Sequence, residues 1–484
     1  MPAGMNMMCI ALILVPLLAA AVAAAVGSNR LRPWLLPATA MAHLALTIIF
    51  LSRPAEPIAN RWLALDPLGS LVLLLVSALF LICSVYSVGY LRLRSELSNR
   101  IFCVGLLLFL TMATFIASSR HLGLMWVAME AMTLATAPLI YFNRTPRSIE
   151  ATWKYLLVGS VGIALALLGS FFLAYAAVQQ RMEPSLQLDQ LLRDAPRLSK
   201  PWLHAAFILL LVGYGAKMGL APMHTWKPDA YGEAPGVVGA LLAGGVTTCA
   251  FLALVRVDYI CRSAGDSAFS GRLLVFMGLL SMAFAAAFVV GQRDFKRMLA
   301  YSSVEHMGIL SLGLGLGGPA LFGSLLHLIN NAMTKGVLFL SAGNIHRAYN
   351  AKTTDDVRGA LRRLPLSGTL FLFGFLAITG SPPFGPFISE LTILNGAFDA
   401  RRFVVGAAFL SLLLVIFVGM GRTVLTVVQG RPSAAAQRTS YRDGLLTGLP
   451  ILASFGIVLL LGLYIPSPLR AMLREAMQSL EVRP

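Results

Sequence analysis

Charge is what this sequence has least of. Only 12% of its 484 residues are Asp, Glu, Lys or Arg, against 57% hydrophobic; a water-soluble chain carries about 25% charge. Too few polar groups remain to coat a water-facing surface, so lipid must replace water around most of the chain. The prior of about one soluble domain per 150 residues does not apply to such a chain. Cysteine is also sparse. Cys9, Cys83, Cys103, Cys249 and Cys261 form no CxxC or CxH pair, which argues against an iron–sulfur cluster, a zinc site or a disulfide framework. There is no P-loop, no histidine pair spaced for haem and no Ser–His–Asp order. The run Gly313–Gly318 matches GxGxxG, but no strand precedes it, so it reads as a tight turn between helices rather than a dinucleotide site. No cofactor, metal or redox group is therefore expected. The first eight residues also lack Lys and Arg; a cleaved signal peptide has a basic start, so the first span is expected to be retained.

What is abundant is long apolar runs. A helix needs about 20 mostly apolar residues to cross a bilayer, and fourteen candidates fit: 9–26, 34–52, 67–90, 101–118, 122–142, 155–178, 203–221, 236–256, 272–291, 300–317, 319–345, 366–398, 403–428 and 445–465. The fold class expected is an all-α polytopic membrane protein. The excess of 38 Lys+Arg over 21 Asp+Glu, +17 overall, would point to nucleic acid in a soluble protein. Here the charges sit in short loops and report topology, so no nucleic-acid partner is expected. With the N-terminus outside, cytoplasmic loops hold 21 Lys+Arg and outer loops 15, with Lys217 and Lys335 left inside spans. Both termini are then expected on the outer side of a bacterial or archaeal cytoplasmic membrane. After Pro466, Leu469, Met472, Leu473, Ala476 and Leu480 recur at helical spacing and predict a short interfacial helix.

Two spans are interrupted. Span seven meets Pro222 soon after Lys217, and span twelve contains Gly380-Ser-Pro-Pro-Phe-Gly-Pro386. Proline removes an amide donor and clashes with the preceding turn, and unwound backbone at membrane depth persists only against protein or a wet cavity. Paired breaks of this kind point to a transport path.

Ionisable groups within spans are costly, at least about 2.5–3.5 kcal/mol each on insertion scales, and persist where they are paired, wet or functional. Glu130, Lys217, Lys335 and Glu390 stand out. A Glu130–Lys217 pair of variable separation would act as a proton switch, because a nearby carboxylate favours the charged lysine and burial disfavours it. His327, Asn331 and Lys335, spaced four apart, stack on one helical face as a polar stripe. His306, beside Glu305, titrates in the neutral range when unperturbed. Glu390 follows the second break, and His224 and Asp229 follow the first. His43, His121, His204 and His346 read as interfacial or loop residues.

At these residues the chain resembles the antiporter-like subunits of respiratory complex I, multi-subunit cation/proton antiporters and membrane-bound hydrogenases. The resemblance rests on the run Lys217-Met-Gly-Leu-Ala-Pro-Met-His-Thr-Trp-Lys-Pro-Asp-Ala-Tyr-Gly-Glu-Ala-Pro235, on Asp294 to Gly308 and on Asn331 to Leu340. Glu305-His306 and the run Glu150 to Tyr155 look most like the hydrogenase-4 and formate-hydrogenlyase branch, component F in type. The resemblance implies fourteen helices containing two inverted five-helix repeats, broken helices seven and twelve, and a hydrophilic axis through mid-membrane. It implies a division into residues 1–118 (helices one to four), 119–256 (first repeat), 257–400 (second repeat) and 401–484 (C-terminal helices and tail). Carried over, Glu130 matches the fifth-helix glutamate, Lys217 the seventh-helix lysine, Lys335 the eleventh-helix lysine and Glu390 the ionisable residue of helix twelve. The family's eighth-helix lysine falls at Thr248, and a second eleventh-helix histidine at Asn331; water held by Thr247 and Thr248 is a candidate bridge across that gap.

The function implied is proton translocation, with partner membrane and peripheral subunits performing the redox chemistry. The rivals are a monovalent cation/proton antiporter, a non-conducting membrane anchor and a bicarbonate-uptake subunit with soluble partners.

Overall fold

The computed structural model describes residues 3–53, 62–432 and 439–481, with side chains from residue 8. Among these residues there are helices and three isolated backbone bridges but no strand. The chain runs through α1 (Ala3–Ala25), α2 (Leu35–Leu51), α3 (Pro67–Arg92), α4 (Arg100–Ser118), α5 (Leu122–Ile140) and α6 (Pro146–Val178). It continues through the short α7 (Leu188–Asp194), α8 (Lys200–Met218), α9 (Trp226–Glu233) and α10 (Gly236–Leu241), which passes through a π-turn, Leu242–Val246, into α11 (Thr247–Ser263). Next come α12 (Ser267–Val289), α13 (Phe295–Leu316), α14 (Gly318–Tyr349), α15 (Ala360–Arg363), α16 (Pro365–Ile378), α17 (Gly385–Asp399), α18 (Phe403–Val428), α19 (Leu445–Leu463) and α20 (Ser467–Gln478).

Eleven of the described helices are long and apolar enough to cross a membrane. α13 and α14 are as long, at 22 and 32 residues, but polar side chains interrupt their apolar runs and keep them out of that count. Helix starts follow local chemistry. Asp66 caps α3 by accepting from Gly69 N at 2.6 Å, with Pro67 at the first helical position. Thr145 and Ser148 form a capping box that starts α6 at Pro146, nine residues before the expected 155. The connection between α6 and α8 is not plain loop, since it contains α7.

Both breaks are present. α8 ends at Met218 with Gly219 left-handed at φ 74°, and α16 ends just before Gly380 at φ 68°. Glycine adopts this conformation without a Cβ clash, so the chain leaves each helix where the next prolines prevent its continuing. The expected single span 366–398 is thus two helices, α16 and α17. The Gly313–Gly318 run is mostly helical: only Gly317 and Gly318 have positive φ, while Gly313 and Gly315 belong to α13.

Burial sorts the helices. The membrane-length window of α10–α11 is 100% buried, whereas those of α1 and α18 are 28% buried; the first is the centre and the others the rim. Small residues let central helices approach closely, as in membrane bundles generally. A Cβ on Gly278 of α12 would lie 2.7 Å from the Gly308 carbonyl of α13. On α20, Leu473 and Ala476 are buried, as is Leu480 just past its end, and Arg470, Arg474 and Glu475 are exposed, the amphipathic pattern expected of that segment, and the helix packs on α3 and α14.

Candidate polar axis

The central helices place a series of polar side chains where neither lipid nor bulk water reaches them. Lys217, Lys227, Lys335, Glu305, His306 and His327 are each no more than 1% exposed. Buried charge of this density requires partners; the lysines and histidines find theirs on other helices, while both Glu305 carboxylate oxygens have no hydrogen-bond partner.

In the first half, α6 lies between the two expected members of the switch. Glu130, half-buried on α5, accepts a hydrogen bond from Ser160 on α6 at 2.6 Å, and its other carboxylate oxygen has no partner. One residue earlier, Gly159 abuts the Lys217 ammonium, and a Cβ there would lie 2.6 Å from Nζ. Lys217 donates to the Thr133 hydroxyl and lies 5.2 Å from the centroid of the Tyr155 ring. Glu130 and Lys217 therefore stand side by side but form no ion pair among the described residues. Of the expected pair of variable separation, the carboxylate and the ammonium are here each held by a hydroxyl.

In the middle, Lys227 on α9 donates to Ser303 Oγ on α13 at 3.0 Å. The neighbouring Ser302 Oγ accepts from Lys335 of α14 at 2.8 Å. In the second half, His306 Nδ1 and His327 Nε2 are 2.9 Å apart, and His327 Nδ1 meets Ser389 Oγ of α17 at 2.9 Å. Glu305 approaches the far side of His306, Oε2 to Nε2 at 3.7 Å. Glu390, next to Ser389, is 6% exposed with Oε1 unpartnered. Donor atoms of His306, His327 and Glu390 all lie within 4.8 Å of one another. Two imidazoles and a carboxylate are the ligand set of a zinc-type ion. The expectation of no metal site rested on spacing along the chain, which says nothing about three donors brought together from three helices. Here the two imidazoles are already hydrogen-bonded to each other.

Other expected residues lie elsewhere or are committed. Asp229 sits at the edge of the bundle in ion pairs with Lys154 and Arg297, both 2.7 Å. His224 is buried among Phe284, Phe288 and Tyr301 rather than in the series. Thr248 donates to Gly244 O of its own helix at 2.7 Å, and Thr247 likewise to Ala243 O at 2.6 Å. Asn331 is buried with both amide atoms unpartnered. His43 is not interfacial but fully buried between Thr114 and Ser77, and His204 pairs with Asp266.

The group that sequence reasoning missed is Lys227. It lies among polar residues after a break and was counted as a loop charge. Its place inside the Lys217–Pro235 motif was the available signal. Ser302, Ser303 and Ser389 were missed because a serine in an apolar helix carries no cost that marks it.

Comparisons with known proteins follow the fold. The family described as NADH:quinone oxidoreductase/Mrp antiporter, TM, matches residues 119–417. A hydrogenase-4 component F homolog of Methylacidiphilum infernorum is 32% identical over 94% of this chain and 96% of its own length. An NADH-quinone oxidoreductase subunit N of Desulforudis audaxviator is 32% identical over 73% and 70%. The structure of the Mrp complex from a Dietzia species contains a chain of the same fold, with TM-score 0.85 at 21% identity over 98% of this chain and 97% of that one. This chain belongs to the NADH:quinone oxidoreductase/Mrp antiporter transmembrane family.

Proposed function

We propose that this chain is a proton-translocating membrane subunit of a redox-driven complex of the hydrogenase-4, formate-hydrogenlyase or complex I-like kind. Partner membrane and peripheral subunits supply the electron transfer. In this reading the chain crosses the cytoplasmic membrane of a prokaryote fourteen times, as two inverted repeats flanked by further helices, with both termini outside. Protons pass Glu130, Lys217, Lys335, His327, His306 and Glu390 in that order, and one end exchanges with solvent near the second break. The observation that carries the reading is the Lys335–Ser302 contact and the His306–His327–Ser389 chain, every member buried and drawn from α13, α14 and α17. Hydroxyl and imidazole groups both donate and accept, so they hand protons on rather than merely hold them.

The antiporter rival needs a site for a hard monovalent cation. Imidazole nitrogens suit softer transition ions, and hard cations prefer oxygen ligands, so the two histidines beside Glu390 weigh toward protons. The test is Lys217→Ala in everted membrane vesicles containing the native complex, with acidification followed by dye quenching and turnover by donor consumption. Pumping is expected to be lost while turnover continues. Undiminished pumping would overturn the assignment.

A further inference from the structure

Lys217 and Lys335 stand on different helices, α8 and α14, with no direct contact between them, and the position that the family pattern assigns to a linking lysine holds Thr248. Its hydroxyl is spent on Gly244 O within its own helix. Lys227 comes to the same region from another direction. The break after α8 turns the chain so that α9 lays the Lys227 side chain across Gly219, two residues beyond Lys217. A Cβ on Gly219 would lie 2.5 Å from Lys227 Cδ and 2.3 Å from Cε. The ammonium then reaches Ser303 Oγ at 3.0 Å, and the adjacent Ser302 receives Lys335. Aromatic rings pack between Lys217 and Lys227. Tyr155, under Lys217, packs on Trp226 at 5.1 Å between centroids; Trp226 packs on Tyr231 at 5.8 Å; and Lys227 Nζ lies 5.8 Å from the Tyr231 ring.

An ammonium at 0% exposure whose one side-chain hydrogen bond runs to a serine hydroxyl, and which has no carboxylate within ion-pair distance among the described residues, is a poor structural element. Its burial is not repaid by a salt bridge. We infer that Lys227 is the protonatable link between Lys217 and Lys335, taking over on the broken helix the position vacated at Thr248; this rests on the proton-transport reading above. Each transfer breaks one N–H bond on the donor amine and forms one on the acceptor. The proton passes through the exchangeable hydroxyls of Ser303 and Ser302, each accepting one proton and releasing another. Two ammonium groups facing one serine pair repel, so proton arrival at Lys227 favours proton release from Lys335.

Two variants test it in the same vesicles, with assembly checked by co-purification of the partner subunits. Lys227→Arg keeps charge and donors but does not release its proton. A relay predicts an assembled complex that turns over without pumping, and wild-type pumping in this variant overturns the inference. Lys227→Met is expected to lose pumping, and adding Thr248→Lys to restore part of it. Wild-type pumping in Lys227→Met overturns the inference, as does failure of an assembled double variant to recover. If Lys217→Ala also pumps normally, the transport reading itself falls; if only the Lys227 variants pump, that reading stands without this link.

Discussion

Two kinds of hold on buried charge stand out in this protein, and under the proposed function they separate scaffold from path. At one end of the bundle Asp66 accepts from Arg256 at 3.1 Å and from Arg120 at 2.9 Å, and Arg120 reaches on to Asp189 of α7. Arg256 also donates to the carbonyls of Ala117 and Ser119, at 2.9 and 2.6 Å. These groups are opposite in sign and joined by several hydrogen bonds each, as a static clamp requires. Lys217, Lys227 and Lys335 instead face hydroxyls, a weaker hold from which a proton can leave. Burial pushes the Asp66 carboxyl up, but Arg256 and Arg120 overcome it and hold the group below its ordinary 3.8. A carboxylate depressed by folding stabilises fully above its unfolded value, and that contribution is lost as pH falls through its folded value. Asp66's contribution to thermal stability in detergent is therefore expected to be full and independent of pH above about pH 5 and to weaken progressively below about pH 4. Asp66→Ala leaves Arg256 buried without a carboxylate and is expected to cost about 3–5 kcal/mol, read as a lowered melting temperature at neutral pH. A melting temperature unchanged by the substitution would count against the clamp.

Among the elements, helices that hold the axis approach their neighbours closely, and glycine sets how closely. α12 and α13 meet where Gly278 and Gly308 face each other's carbonyls, and a Cβ on either would lie 2.6–2.7 Å from the opposing oxygen. Gly278→Val is expected to destabilise by about 1–3 kcal/mol through overpacking and to displace Glu305 and His306, carried on α13. Gly456→Ala on α19, with nothing within 4 Å, is the matched control and should melt as wild type. Equal melting temperatures for the two would remove glycine packing as the reason for the approach. The breaks belong to this scale too. Pro222 and the prolines after Gly380 were readable as interruptions, because proline acts on its own turn. That α9 then folds back to bring Lys227 across Gly219 was not readable, because it depends on where α13 stands.

For the molecule as a whole, the rim is apolar. Ile149, Trp153, Leu157 and Val161 on α6 and Val404, Leu414 and Val418 on α18 are exposed, as expected of surfaces that meet lipid or neighbouring subunits. The proposed topology places Glu183, between α6 and α7, outside, and Asp355, between α14 and α15, in the cytoplasm. The five native cysteines are buried, so a cysteine introduced at either site can be labelled selectively. A membrane-impermeant thiol reagent added to intact cells is expected to label Glu183→Cys and not Asp355→Cys, and everted vesicles should reverse the pattern. Labelling of both from one side would overturn the fourteen-span orientation.

The sequence by itself determined the solvent, the helical class, the two breaks and the presence of costly residues such as Lys217, Lys335 and Glu390. Each of these is a property of about 20 consecutive residues, summed along the chain by hydropathy or imposed by a proline on its own turn. Only the tertiary structure decided which groups meet. It set Glu130 and Lys217 side by side without an ion pair, gathered His306, His327 and Glu390 from three helices, and carried Lys227 out of an apparent loop into the centre. Those contacts join residues tens of positions apart, such as 21 between the two histidines and 76 between Lys227 and Ser303. They are set by how closely and at what angle helices cross, which no local window contains. Lys227 shows the limit most plainly: beside Pro228 its charge looks solvated, and only the packing of α9 against α13 makes it a buried ammonium.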